Sequence, residues 1–143
     1  MERSLNYQLY ENMLLTLKRN CKNGITSVAK PIYVLSIFEA IETNIVLDNK
    51  LYPKDLMPIY TKMCKQKRIE KIPFFYYPYC YLQSDGFYNL HWKGPQLKII
   101  SPSAKFIREH IDYAYLDNVL WDLLKDAEIR QEYKELIENH YLN

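Results

Sequence analysis

The sequence has 143 residues, the usual size of one domain, and its hydrophobic fraction of 48% is sufficient for a globular core. It contains no run of about 18 apolar residues, which argues against a membrane-spanning helix. The three cysteines are widely spaced and form no metal-ligand pattern, so they predict reduced thiols in a bacterial-type cytoplasm.

The net charge of +2 conceals an uneven distribution along the chain. Residues 1–100 carry 14 Lys or Arg against 8 Asp or Glu, whereas residues 101–143 carry 5 against 9. This asymmetry favours one surface that faces an anion, although mixed solvated surfaces also produce it by chance. Tyr supplies 14 of the 21 aromatic rings, which suits either a Tyr-rich core with hydroxyls at its rim or rings presented to a partner.

Three helices are predicted in the first half of the chain. The first runs from a Ser4 cap to Arg19, with leucines and a methionine at four-residue spacing, and a break follows at Asn23-Gly24. The second begins at Lys30-Pro31 and is apolar nearly all round, a pattern typical of a central buried helix. The third is predicted from about Leu56 to Lys67.

A β-hairpin is predicted between residues 72 and 90. Asp85-Gly86 separates two aromatic runs, and this dipeptide is a strong signal for a tight turn between strands. Pro73 and Pro78 place the beginning of the first run at an edge or outside the ladder. A short third strand is predicted at Gln96–Ile100.

The last third of the sequence predicts helices again. Ser101 or Ser103 caps a helix that ends near Ile111, Asp117 caps the next, and Asp126 begins the last. No linker or repeat interrupts the chain. The sequence therefore predicts one compact domain over residues 1–143, mainly α with a small antiparallel β-hairpin or sheet (α+β).

No catalytic, cofactor or metal site is predicted. His91, His110 and His140 are far apart and lack neighbouring ligands at suitable spacing, and the chain has no Gly-rich phosphate loop. A metal-dependent nuclease needs clustered acids or histidines to hold its ion. Asp85 is interpreted as a residue that the turn requires for backbone reasons.

The feature that exceeds background is the aromatic stretch PFFYYPYCYLQSDGFY at residues 73–88. It resembles the P-F-x-x-L-x-S-D-G-F/W signature of modification-dependent restriction endonucleases. In that family the signature lies in the sulfur-binding domain, which recognises phosphorothioate DNA and usually precedes an HNH nuclease domain.

Three further segments resemble the same family. Lys30-Pro31 opens an apolar helix, residues 50–52 (Lys-Leu-Tyr) lead into a basic helix, and residues 111–117 (IDYAYLD) precede two terminal helices. The resemblance covers about residues 25–142. Each motif is modest alone, but their order and spacing make the match fairly specific.

The resemblance implies that an apolar surface pocket receives the sulfur of a phosphorothioate. Tyr77-Pro78 matches the Tyr-Pro pair that forms part of this pocket in the family, and Tyr81 would also face it. Tyr81 departs from the smaller residue or His that is usual there, and its ring would reduce the space. Lys30 matches the basic residue at the start of the buried helix, which implies a phosphate contact.

Burial of the remaining aromatic residues is predicted from the same segment. Phe74, Phe75, Phe87 and Leu90 are assigned to the core. The residues assigned as plausible exposed rings are Tyr76, Tyr77, Pro78, Tyr79 and Tyr81, with about half of them expected to point inward by strand alternation.

A basic cluster ends the third predicted helix and continues into the loop before the aromatic stretch. Its members are Lys62, Lys65, Lys67, Arg68 and Lys71. They could contact a phosphate backbone beside the pocket, or they could be a solvated helix end that the helix dipole favours. The resemblance favours the DNA-binding interpretation.

Two functions follow from these observations. The first is a DNA-recognition module of a restriction system, binding double-stranded and phosphorothioate-modified DNA, with an HNH nuclease fused to it or separate. The residues assigned to DNA binding are Lys30, Lys65, Lys67, Arg68, Lys71, Tyr77, Pro78, Tyr79 and Tyr81. The second is a protein-interaction domain with an exposed Tyr-rich surface and no nucleic acid.

Overall fold

The computed structural model describes residues 3–22 and 24–143 and has an α+β fold, as predicted. The α-helices are α1 (Leu5–Leu14), α2 (Ala29–Glu42), α3 (Pro53–Gln66), α4 (Tyr76–Tyr81), α5 (Ala104–His110), α6 (Asn118–Leu124) and α7 (Ala127–Ile137). A 3₁₀-helix follows α4 (Leu82–Asp85), and a π-helical turn follows α7 (Glu138–Leu142). The strands are β1 (Cys21–Lys22), β2 (Ile25–Thr26), β3 (Tyr88–Trp92) and β4 (Ile111–Leu116).

Helix α2 is the centre of the core, as its apolar sequence predicts. Ile32, Tyr33 and Ala40 are completely buried, and the helix packs against α3, α4 and α7. Ser36 is the buried polar residue of this helix, and its hydroxyl donates to the carbonyl of Ile32 at 2.7 Å. Neighbouring helices therefore cover α2 along most of its length.

The predicted helix caps are largely confirmed. The hydroxyls of Ser4 and Ser103 accept from backbone N–H groups of α1 and α5, and the carboxylate of Asp126 accepts from two N–H groups of α7. Asp117 precedes α6, but its carboxylate instead accepts hydrogen bonds from Tyr10 and Asn89.

The predicted end of the first helix at Arg19 is wrong, because α1 ends at Leu14. A hydroxyl from the far end of the chain replaces the helical hydrogen bonds there. Tyr141 donates to the carbonyl of Leu14 at 2.6 Å and accepts from the N–H of Leu17 at 3.0 Å. The following residues therefore form a surface loop. Asn23 of the predicted break lies outside the described residues, whereas Gly24 has a φ of 77° between β1 and β2.

The predicted hairpin across Asp85-Gly86 is also wrong. The segment before this dipeptide is helical, so that Phe75, Tyr79 and Leu82 bury their side chains at helical spacing. Pro78 is tolerated because it lies in the first turn of α4. Gly86 does turn the chain, with a φ of 93°, but it ends a 3₁₀-helix.

Strand β3 pairs with β4, which is distant in sequence, in antiparallel register from Tyr88↔Leu116 to Trp92↔Ile111. Leu51 adds an isolated bridge to Ala114 on the other side of β4. The predicted third strand at residues 96–100 does not form in the described chain. No α-helix among the described residues is long and apolar enough to cross a membrane.

Candidate functional site

A surface pocket of about 510 Å³, called here the Tyr77 pocket, opens where three segments meet. The loop after α1 contributes Lys18, Arg19 and Asn20, and the beginning of α2 contributes Ser27, Ala29 and Lys30. The aromatic segment contributes Pro73, Tyr77, Pro78, Tyr81 and Ser84. The aromatic segment gives the pocket an apolar wall, and the lysines and arginine give it a basic rim. None of these lining residues is acidic.

The apolar wall comes from one face of α4. Tyr77 is 50% exposed, Tyr81 is 36% exposed, and their ring centroids are 6.0 Å apart. Pro78 lines the pocket but is buried, contrary to its assignment as an exposed ring. The two tyrosines share a face because they are four residues apart in a helix. Tyr81 forms part of the wall and leaves the pocket open; burial raises its pKa.

Phe74 extends this wall outward, which corrects its assignment to the core. Its side chain is 51% exposed, and its ring meets Tyr77 edge to face with centroids 5.5 Å apart. The other residues assigned to the core, Phe75, Phe87 and Leu90, are buried as predicted.

The basic rim includes two residues that sequence reasoning missed. Lys18 is exposed, and Arg19 lies with its guanidinium 4.6 Å from the ring centroid of Tyr141 and donates to the carbonyl of Ser27 at 3.4 Å. The sequence assigned both to the end of a helix. They lie in a loop instead, because the Tyr141 hydroxyl bonds the backbone at Leu14 and Leu17. The signal available in the sequence was two adjacent basic residues shortly before the predicted break at Asn23-Gly24.

Lys30 lies in the pocket wall and is paired from behind. Its ammonium is 2.6 Å from Oδ2 of Asp85 and 3.4 Å from the hydroxyl of Ser84. The other oxygen of Asp85 accepts from the backbone N–H of Lys18 at 2.7 Å. The Lys30 side chain is 12% exposed and that of Asp85 only 1%. Asp85 therefore connects all three segments of the pocket, and explaining it by the turn alone was wrong.

Tyr79 is not at the surface, contrary to its assignment as an exposed ring. It is completely buried, and its hydroxyl donates to the carbonyl of Leu51 at 2.7 Å. Its own carbonyl accepts from the Tyr88 hydroxyl at 2.6 Å, and burial raises the pKa of Tyr79. Tyr79 therefore stabilises α4 from inside, while Tyr77 and Tyr81 face the pocket.

The basic cluster at the end of α3 lies outside the Tyr77 pocket. Lys67 pairs with Glu138 at 3.0 Å and lines a second cavity of about 460 Å³ between α2, α3 and the C-terminal helices, called here the Lys67 cavity. Lys65 and Arg68 are exposed. Lys71 is exposed two residues before Pro73, which belongs to the pocket.

The histidines and cysteines form no candidate metal centre within residues 3–22 and 24–143. His91 lies on β3, where its ring stacks on Tyr113 with centroids 4.7 Å apart and its Nδ1 lies 3.1 Å from Asp112. Cys64 and Cys80 are buried, and burial raises the pKa of both thiols. The Tyr77 pocket is therefore the candidate site on grounds of shape and charge.

The fold around this pocket also occurs in a protein of known structure. A solved structure shares it with a TM-score of 0.71 over 98% of this chain and 88% of the other, at 12% sequence identity. That structure is the sulfur-binding domain of ScoMcrA complexed with phosphorothioated DNA. No protein-family model matches the sequence, and no curated protein matches it.

Proposed function

We propose that this protein binds double-stranded DNA and recognises a phosphorothioate linkage in the Tyr77 pocket. The observation that carries the proposal is an apolar wall directly beside a basic rim formed by Lys18 and Arg19, on a fold shared with a domain that binds such DNA. The assignment of Lys30, Tyr77, Pro78 and Tyr81 to this contact belongs to the proposal.

The apolar wall suits sulfur for a physical reason. A non-bridging sulfur is larger, more polarisable and less strongly hydrated than the oxygen that it replaces, so it enters an apolar pocket at a lower desolvation cost. Tyr77 presents a half-exposed ring, and Pro78, although buried, lines the pocket with a ring that has no donor on its nitrogen. Together these surfaces offer van der Waals contact to sulfur and little compensation to a hydrated oxygen.

The rim suits the phosphates that flank the modified linkage. Lys18 and Arg19 carry positive charge at the pocket edge, and such contacts bind any DNA sequence with an affinity that falls as salt rises. Lys65, Arg68 and Lys71 are proposed as contacts farther along the backbone. Lys67 would first have to leave its ion pair with Glu138.

This recognition would serve a modification-dependent restriction system in the cytoplasm. Binding would direct an HNH nuclease, fused or separate, to the modified DNA, while this domain itself performs no catalysis. The proposed partners are therefore DNA and a nuclease, with no cofactor in the recognition step.

The decisive experiment compares three duplexes of identical sequence, one plain and two that carry a single phosphorothioate in opposite configurations at phosphorus. Each diastereomer is tested separately, because sulfur makes the phosphorus a stereocentre and an asymmetric pocket distinguishes the two. We expect tighter binding of one diastereomer than of plain DNA, with both affinities falling as salt increases. Equal binding of all three duplexes contradicts sulfur recognition, and no binding at low salt favours the protein-interaction alternative.

A further inference from the structure

We infer that Asp85 sets the selectivity of the Tyr77 pocket for sulfur over oxygen, by neutralising Lys30 from behind the pocket wall. The inference rests on the proposed function and deepens it. It gives the buried Asp85 carboxylate a role in ligand selectivity, which is separate from its position before the Gly86 turn and from its packing.

The geometry separates the two charges. Lys30 lines the pocket, whereas Asp85 does not and is almost completely buried. Their 2.6 Å contact is short for an ammonium and a carboxylate, and Ser84 occupies a second direction around the ammonium. The Lys30 cation in the pocket wall is therefore already paired before any ligand arrives.

A paired lysine changes which ligand gains most from the pocket. An unpaired ammonium donates a stronger hydrogen bond to a compact oxygen than to a larger, softer sulfur, so it would favour the ordinary phosphate. With Asp85 behind it, Lys30 contributes little net charge to the pocket. The contact with Tyr77 and Pro78 then decides affinity, and that contact favours sulfur.

Asp85 also accepts from the backbone N–H of Lys18, so a test must preserve this bond. Asparagine has the shape of aspartate, and its side-chain carbonyl can still accept that N–H. Asp85→Asn therefore removes the negative charge with the smallest disturbance of the Lys18 loop.

The first experiment measures the affinity of Asp85→Asn for plain and phosphorothioate duplexes across a salt series. We expect plain-DNA affinity to rise about three- to tenfold and phosphorothioate affinity to rise less, so that the ratio of the two falls. The salt dependence for plain DNA should steepen by about one phosphate contact. A purely structural Asp85 predicts weaker binding of both duplexes with an unchanged ratio, and that result overturns the inference.

A second variant, Lys30→Gln with Asp85→Asn, removes both charges and leaves neither buried alone. Adding Lys30→Gln should reverse the gain in plain-DNA affinity seen in the single variant. Because the original pair carries no net charge, the salt slope for plain DNA should equal that of the unmodified protein. A slope lower by about one would show that Lys30 acts as a full charge, and it overturns the inference even if Asp85→Asn does not fold.

The outcomes also separate this inference from the proposed function. If the unmodified protein does not distinguish the two duplexes, sulfur recognition itself fails. If it distinguishes them and Asp85→Asn keeps the same ratio, sulfur recognition stands and the role of Asp85 fails.

Discussion

The Tyr77 pocket and the Lys67 cavity lie near opposite ends of α2, and each combines basic side chains with an apolar surface. At the Tyr77 pocket none of the described lining residues is acidic, and the Asp85 carboxylate that pairs with Lys30 is buried behind it. At the Lys67 cavity the acids line the cavity itself, since Glu39 and Glu138 lie among its lysines. A run of lysines in the sequence therefore does not locate an anion site, because distant helices decide which charges remain uncompensated.

The largest expected effect tests the charge pair of the Tyr77 pocket. Lys30→Ala leaves the carboxylate of Asp85 buried without its partner, which should reduce the free energy of unfolding by about 3–5 kcal/mol. Lys67→Ala should cost less than about 1 kcal/mol, because Lys67 and Glu138 are both more than a quarter exposed. Urea unfolding measures both, and equal losses would remove the distinction between the two sites.

The folded fraction of Lys30→Ala should also bind DNA less well. The unpaired carboxylate repels phosphate, so affinity for plain and phosphorothioate duplexes should fall together. Binding is measured at a temperature where the variant remains folded. A selective loss for one duplex would show that Lys30 contacts the substituted atom directly.

The second prediction concerns the apolar wall. Tyr77→Ala removes the half-exposed ring and should abolish most of the sulfur preference, a loss of about 1 kcal/mol, because only the exposed half of the ring remains to be covered by ligand. Weak salt-dependent binding should remain. Tyr115→Ala is the matched control, because Tyr115 is partly exposed on β4 and lies outside the pocket. A preference that survives Tyr77→Ala would place the sulfur contact elsewhere.

The third prediction compares the two basic surfaces directly. Lys18→Ala should lower affinity for both duplexes several-fold and reduce the salt slope by about one, because Lys18 is exposed at the pocket rim. Lys67→Ala should change the slope less, since Glu138 already compensates that charge. Fluorescence anisotropy over a salt series provides both slopes. The reverse order would place the DNA on the Lys67 side.

Local signals account for what could be predicted of the fold. A capping side chain acts within its own turn, so Ser4, Ser103 and Asp126 could be recognised without tertiary information. Asp85-Gly86 is also a local signal and correctly indicates a turn, but it does not determine whether a strand or a helix precedes that turn. Aromatic residues can alternate along a strand or recur along a helix, so the aromatic pattern alone does not distinguish the two. The residues that pair with β3 lie 19 to 28 positions further along the chain.

The residues of the candidate site likewise divide into those that could be predicted from the sequence and those that could not. Tyr77, Pro78 and Lys30 could be predicted from the resemblance, and the structure places all three around one pocket. Lys18 and Arg19 could not, because a contact from the other end of the chain brings their loop to the pocket. The exposed position predicted for Tyr79 was also wrong, because this segment is the helix α4 and helical spacing determines which of its rings are buried.

The smallest expected effect tests that long-range contact. Tyr141→Phe keeps the ring under Arg19 but removes the hydroxyl that bonds the carbonyl of Leu14 and the N–H of Leu17. We expect a loss of about 1 kcal/mol in the free energy of unfolding, measured by urea titration. The loss should be accompanied by a small fall in DNA affinity, because the loop carrying Lys18 becomes less ordered before binding. Amide hydrogen exchange should then increase at residues 15–20 and stay unchanged around Lys67. Uniformly faster exchange would instead mean that the hydroxyl stabilises the whole fold and has no specific effect on the pocket.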